Sequence, residues 1–155
     1  MSQASQAPDP PSDPRFAGLD LVPAQTAVLD ENGVIRHVNA AWRTFAEANG
    51  YRGDSFLGVN YLAVCDAAKG AERTDAARFA DGLRAVLAHS RSRFDSTYPC
   101  HAPDAERWFK AVAARHGDIV VVSHVDITAE YRAAARGEEL FWNRAMLHEL
   151  KTPVN

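Results

Sequence analysis

Three stretches in which apolar and polar residues alternate, 93–100, 106–115 and 118–125, follow one another across very short connections. Alternation gives each strand one apolar face, and connections this short leave no room for a crossover helix, so the strands form an antiparallel meander. The turns between them, Ala102-Pro103-Asp104-Ala105 and His116-Gly117, are built from residue types that bend a chain. An earlier strand pair, 26–29 and 34–38, flanks Asp30-Glu31-Asn32-Gly33, where Asn-Gly is expected to supply the positive φ angles of a hairpin. Between the two groups the period becomes helical. Asn39 is placed to cap a helix with apolar positions Ala41, Trp42, Phe45 and Ala46, and Asn49-Gly50 stops it. Short helical turns are expected through Gly58, Tyr61, Leu62 and Cys65. A longer helix over 74–88 follows, burying Ala77, Phe79, Ala80, Leu83, Val86 and Leu87. The expected fold is α+β: a five-stranded antiparallel sheet with helices on one face, then a long C-terminal helix. Another small α+β domain with the same strand order is the alternative.

Composition narrows what such a domain does. The 155 residues are 46% apolar and 24% charged, enough for one ordinary domain with accessory segments. Seventeen Lys and Arg against 20 Asp and Glu leave a net charge of −3, so nucleic acid is not an expected partner. No apolar run approaches the roughly 18–20 residues that span a bilayer, and no membrane partner is expected. The opening MSQASQAPDPP has neither the basic nor the apolar region of a secretory signal. Two cysteines, Cys65 and Cys100, are too few for a disulfide scaffold. The expected location is the cytoplasm. Residues 1–20, with Pro8, Pro10, Pro11 and Pro14 among Ser, Gln and Asp, read as a disordered N-terminal tail. Within it, Phe16, Leu19, Leu21 and Val22 have the pattern of a short amphipathic piece that packs on the domain or on a partner.

TAVLDENGVIRHVNAAW, residues 26–42, resembles the opening of a PAS domain. RWFKAVAARHGDIVVVSHVDIT, residues 107–128, resembles its last two strands and the Asp-Ile-Thr motif at which PAS domains join an output helix. The resemblance covers 22–128. It implies that Asp126 and Thr128 couple the domain to the helix that follows. Their chemistry suits that role: Asp126 accepts charge-assisted hydrogen bonds, and Thr128 can cap a helix starting at Ala129.

Residues 129–155 read as an output helix running to Leu150 and ending in a truncated phosphoacceptor box. Ala133, Leu140, Leu147 and Val154 recur at seven-residue intervals with Leu150 beside them, a partial seam interrupted by Arg136 and Asn143. An amphipathic helix packing back on its own domain would give a similar pattern. His148-Glu149-Leu150-Lys151-Thr152-Pro153 resembles the phosphoacceptor box of sensor histidine kinases, although Leu147 occupies a position that is often Ser. The resemblance implies that His148 is the phosphoacceptor, that Glu149 orients its ring or takes its proton, and that Thr152, one turn on, positions water in the reverse hydrolysis. It implies a homodimer, a response regulator as partner, and ATP as cofactor of a full-length kinase only. The alternative is a PAS binding or dimerisation module without kinase activity.

The stimulus is left open, and with it any cofactor or small ligand. Gly58-Val59-Asn60-Tyr61 resembles the flavin-binding PAS subgroup but places Tyr61 at the photoreactive cysteine position, so no cysteinyl-flavin adduct is expected. Cys65, Cys100, His101 and His124 are the available soft ligands. Cys100 and His101, adjacent on a strand, point to opposite faces, so no metal is expected. His89 ends the long helix, where a cation suits the helix dipole better than a haem ligand. His37 and His116 are expected to be solvated, and Trp42, Phe45, Phe79, Tyr98, Trp108 and Phe109 to be core.

Overall fold

The computed structural model describes residues 13–50, 56–101 and 103–149, with 139–149 followed as backbone only. The strands are β1 (Gln25–Leu29), β2 (Ile35–Val38), β3 (Arg93–Pro99), β4 (Trp108–His116) and β5 (Ile119–Asp126). The helices are α1 (Ala40–Ala48), α2 (Tyr61–Asp66), α3 (Arg73–Leu87) and α4 (Thr128–Glu149), and 3-10 helices cover Pro14–Leu21 and Gly70–Glu72. The five strands form one antiparallel sheet in the order β2-β1-β5-β4-β3. The hairpin and the meander thus meet through β1 and β5, which puts the end of the domain at the centre of the sheet.

Pairing of Ala27 with Val122, Leu29 with Val120 and Ala113 with Val122 aligns these side chains on one face. That face carries the core, where Phe79, Leu83 and Val86 of α3 and Tyr61 of α2 pack against Ala27, Leu29, Ala111, Ala113, Val120 and Val122. At Gly82, α3 lies close against β3, since a Cβ there would run into the Phe94 ring. Burying this apolar surface stabilises the layer pair at about 25 cal/mol per Å².

Several elements differ from the sequence expectation. In the first turn only Gly33 has positive φ, at 82°. The Asp30 carboxylate accepts the N–H groups of Asn32 and Val34 at 2.9 and 3.0 Å, so it organises a longer loop than a two-residue Asn-Gly turn. A register shift between Val28 and Leu29 absorbs the extra length. β4 starts at Trp108 rather than 106, because the preceding residues close a loop in which Cys100 N–H donates to the Arg107 carbonyl at 2.9 Å.

The ordered structure also begins before residue 20. Asp13 caps the first 3-10 helix, and the Asn39 side-chain amide donates to the Leu19, Val22 and Ala24 carbonyls at 3.0, 3.2 and 2.8 Å. Those bonds fix the segment to the start of α1, an outcome that local composition cannot register. Residues 1–12 lie outside the described residues. No described helix is long and apolar enough to cross a membrane.

Candidate functional site

β5 carries its inward-facing residues at Val120, Val122 and His124, so strand alternation turns a histidine into the helix-covered layer. Its neighbour across β4 is Ala111, which leaves room for the imidazole. Tyr98 comes in from β3. Tyr61 enters from the first turn of α2, which Asn60 caps through its side-chain oxygen on the Leu62 N–H at 2.9 Å. The three side chains join: Tyr61 Oη lies 2.7 Å from His124 Nε2, and Tyr98 Oη lies 2.8 Å from His124 Nδ1. Trp42 and Phe79 pack on the same imidazole, with ring centroids 5.9 and 6.2 Å away.

Burial governs the protonation of this cluster. It pushes His124 down to about 4, so the ring is neutral at ordinary pH. It also raises the phenols of Tyr61 and Tyr98, which stay protonated. A neutral imidazole offers one donor and one acceptor. One tyrosine therefore donates to His124 and the other accepts from it, which leaves one phenolic proton over. The arrangement is a short proton-sharing chain between α2, β5 and β3, with one hydroxyl donor to spare.

Two residues beyond His124 lies the junction to α4. The Asp126 carboxylate accepts the N–H of Thr128 at 2.9 Å and its hydroxyl at 2.6 Å. The Thr128 oxygen accepts the backbone N–H of Trp108, at the start of β4, at 3.0 Å. The Asp126 carboxyl is held below its ordinary value by these Thr128 hydrogen bonds. Trp108 stacks on Tyr131 in the first turn of α4, with centroids 4.0 Å apart and planes 14° from parallel. A strand end, a neighbouring strand and the helix start are thus fastened together at one point.

The other sequence candidates are dispersed. His148 and Glu149 lie at the end of the α4 backbone, while Leu150, Thr152, Pro153 and Val154 are outside the described residues. Cys65 is partly buried and its thiol is pushed up to about 11, which keeps it protonated and unreactive. His101 accepts the Arg107 N–H at 3.1 Å through Nδ1 and packs edge-on to Trp108. Among the described residues no three His, Cys, Asp or Glu side chains converge as metal ligands. His89 follows α3 with φ of 62°. His37 is buried rather than solvated, because the first 3-10 helix covers it. A surface crevice of about 330 Å³ near Lys69 and Arg73 includes none of these residues.

Sequence reasoning considered Tyr61, Tyr98 and His124 separately and missed their union. The available signal was His124 itself, a polar residue in register with Val120 and Val122 on an inward-facing strand face.

A family model described as the PAS fold matches residues 19–132. An uncharacterised 104.1 kDa protein in the hypE 3′ region of Rhodobacter capsulatus is 42% identical over 120 residues, 72% of this chain and 12% of that protein. The chain therefore spans a small part of that relative's length. Among solved structures, the PAS domain of Bordetella pertussis BvgS superposes with a TM-score of 0.52 at 17% identity, covering 80% of this chain and 91% of that one. A PAS domain from Colwellia psychrerythraea gives 0.50 at 16% identity, covering 74% and 95%. At these identities the likeness is one of fold.

Proposed function

Because the chain belongs to the PAS fold family, we propose that it is the sensory module of a cytoplasmic two-component sensor histidine kinase. In this reading it passes a signal from the His124 cluster to α4. The observation that carries the reading is the fastening of α4 to β5 and β4 through Asp126, Thr128 and Trp108. His124 and Asp126 share one strand, so a change in how Tyr61 and Tyr98 hold His124 acts on the strand that fixes the helix. Any ligand that binds two arrangements of this layer unequally shifts the helix between them.

The box His148-Glu149-Leu150-Lys151-Thr152-Pro153 supports the kinase assignment. An imidazole nitrogen of His148 attacks the γ-phosphorus of ATP, forming N–P as the bond to the departing ADP oxygen breaks. The displaced ring proton goes to Glu149 or to water. Thr152 positions water for the reverse hydrolysis. The reading includes a homodimer paired along α4 and a response regulator that receives the phosphoryl group.

The experiment is Asp126→Ala in the full-length gene product. Signal-independent autophosphorylation with the PAS fold intact supports coupling. Normal regulation with lowered stability makes Asp126 a cap only. Absence of any phosphohistidine in the wild type favours a PAS binding or dimerisation module instead.

A further inference from the structure

The face of β1 and β2 turned away from α1–α3 is also closed. Thr26, Val28 and His37 keep 2%, 0% and 6% of their surface exposed, and His37 stands across from Val28 in the β1–β2 register. What lies over His37 is the first 3-10 helix, whose Phe16 ring is 5.7 Å from the imidazole. Among the described residues, His37 Nε2 has no hydrogen-bond partner although it is fully enclosed.

We propose that the 3-10 helix Pro14–Leu21 is a proton-released strap: with His37 neutral it lies docked on the sheet, and protonation of His37 undocks it. The charged groups around the ring offer no ready receiver for an imidazolium. From the strap side, the Asp13 carboxylate is held by Arg15 at 2.7 Å. Asp20 accepts the Ala40 N–H at 2.8 Å and pairs with Arg43 of α1 at 3.2 Å, and Arg43 itself opposes a second cation nearby. On β2, Arg36 is committed to Asp30 at 2.6 Å. β1 contributes only Thr26 and Val28 to this face. A proton on His37 would therefore sit buried beneath Phe16 with no acceptor, a costly arrangement that is relieved when the ring reaches water.

The sign follows from linkage. Burial lowers His37 from 6.5 in the docked state, despite the opposing pull of Asp20 and Asp13, so protons favour the undocked form. Docking is fully present above about pH 6.5 and weakens, by up to about tenfold per pH unit, as pH falls towards the docked value. Undocking frees the Asn39 amide from the Leu19 and Val22 carbonyls and uncovers Thr26 and Val28.

Amide hydrogen exchange of the whole chain at pH 7.5 and 5.5, corrected for intrinsic rates, tests this. The reporters are the Ala40 and Val22 amides, normalised to the β4–β5 ladder so that global opening is removed. The expected result is up to about a tenfold loss of protection at Ala40 and Val22 on acidification, abolished in His37→Phe and in His37→Gln. Gln is included because it retains a polar side chain should Phe overpack the site. Protection that does not change with pH in the wild type, or that falls equally in both variants, overturns the proposal.

Discussion

At residue scale, His124 holds both tyrosine hydroxyls of the inner layer through its two ring nitrogens. His124→Phe would leave the Tyr61 and Tyr98 hydroxyls without their imidazole partner inside an aromatic layer. Each enclosed, unpaired hydroxyl costs about 1–3 kcal/mol, so His124→Phe should lower the urea-unfolding free energy by at least that much. Tyr61→Phe alone should also destabilise, and the double variant should lose less than the sum of the two, because they break one shared bond. The pH dependence has a definite sign. A histidine lowered from 6.5 to about 4 contributes stability that is whole above pH 6.5 and fades as pH falls to about 4. The wild type's advantage over His124→Phe should therefore narrow in unfolding curves taken at pH 7.5, 5.5 and 4.5. Asn39 was legible as a cap because an Asn before an amphipathic run has a local cause. The Tyr61–His124–Tyr98 chain was not, since its members are 26 and 63 residues apart and only the sheet together with the packing of α2 on it brings them into contact.

The elements show where local chemistry suffices and where it fails. All five strands and the helices α1, α3 and α4 could be read from their periods, with Asn39 capping α1 as expected. α4, however, starts at Thr128 itself, whose hydroxyl bonds Asp126 and Trp108 instead of capping a helix from Ala129. The 3-10 helix at Pro14–Leu21 was legible only as a short amphipathic piece around Phe16 and Leu19, because what ties it down is Asn39 and Arg43, in elements that follow it. Asn39→Ala should therefore cost more than an ordinary cap's 0.5–2 kcal/mol, roughly 2–4 kcal/mol once the buried Thr26 N–H and three carbonyls lose their partner. Denaturant titration measures it. At the α4 junction, Thr128→Val keeps the shape but removes the acceptor for the Trp108 N–H. It should destabilise the chain by about 1–2 kcal/mol and raise exchange at the Trp108 amide more than in β3. On the other side of the sheet, Gly82→Ala forces the Phe94 ring to move, and a loss of about 1–3 kcal/mol is expected in thermal or urea melts.

For the whole molecule, the sheet order puts His124 and the junction at Asp126 on the same strand. β5 is central, carries His124 into the helix layer and ends at Asp126, from which α4 leaves. In the proposed reading this layer controls His148, at the far end of α4. The most direct measurement is phosphohistidine formation in the full-length gene product supplied with γ-labelled ATP, comparing wild type, His148→Gln and Thr128→Val. Acid-labile label is expected in the wild type, none in His148→Gln, and label in Thr128→Val that no longer follows the wild-type stimulus response. Label retained in His148→Gln, or regulation unchanged in a folded Thr128→Val, would contradict it.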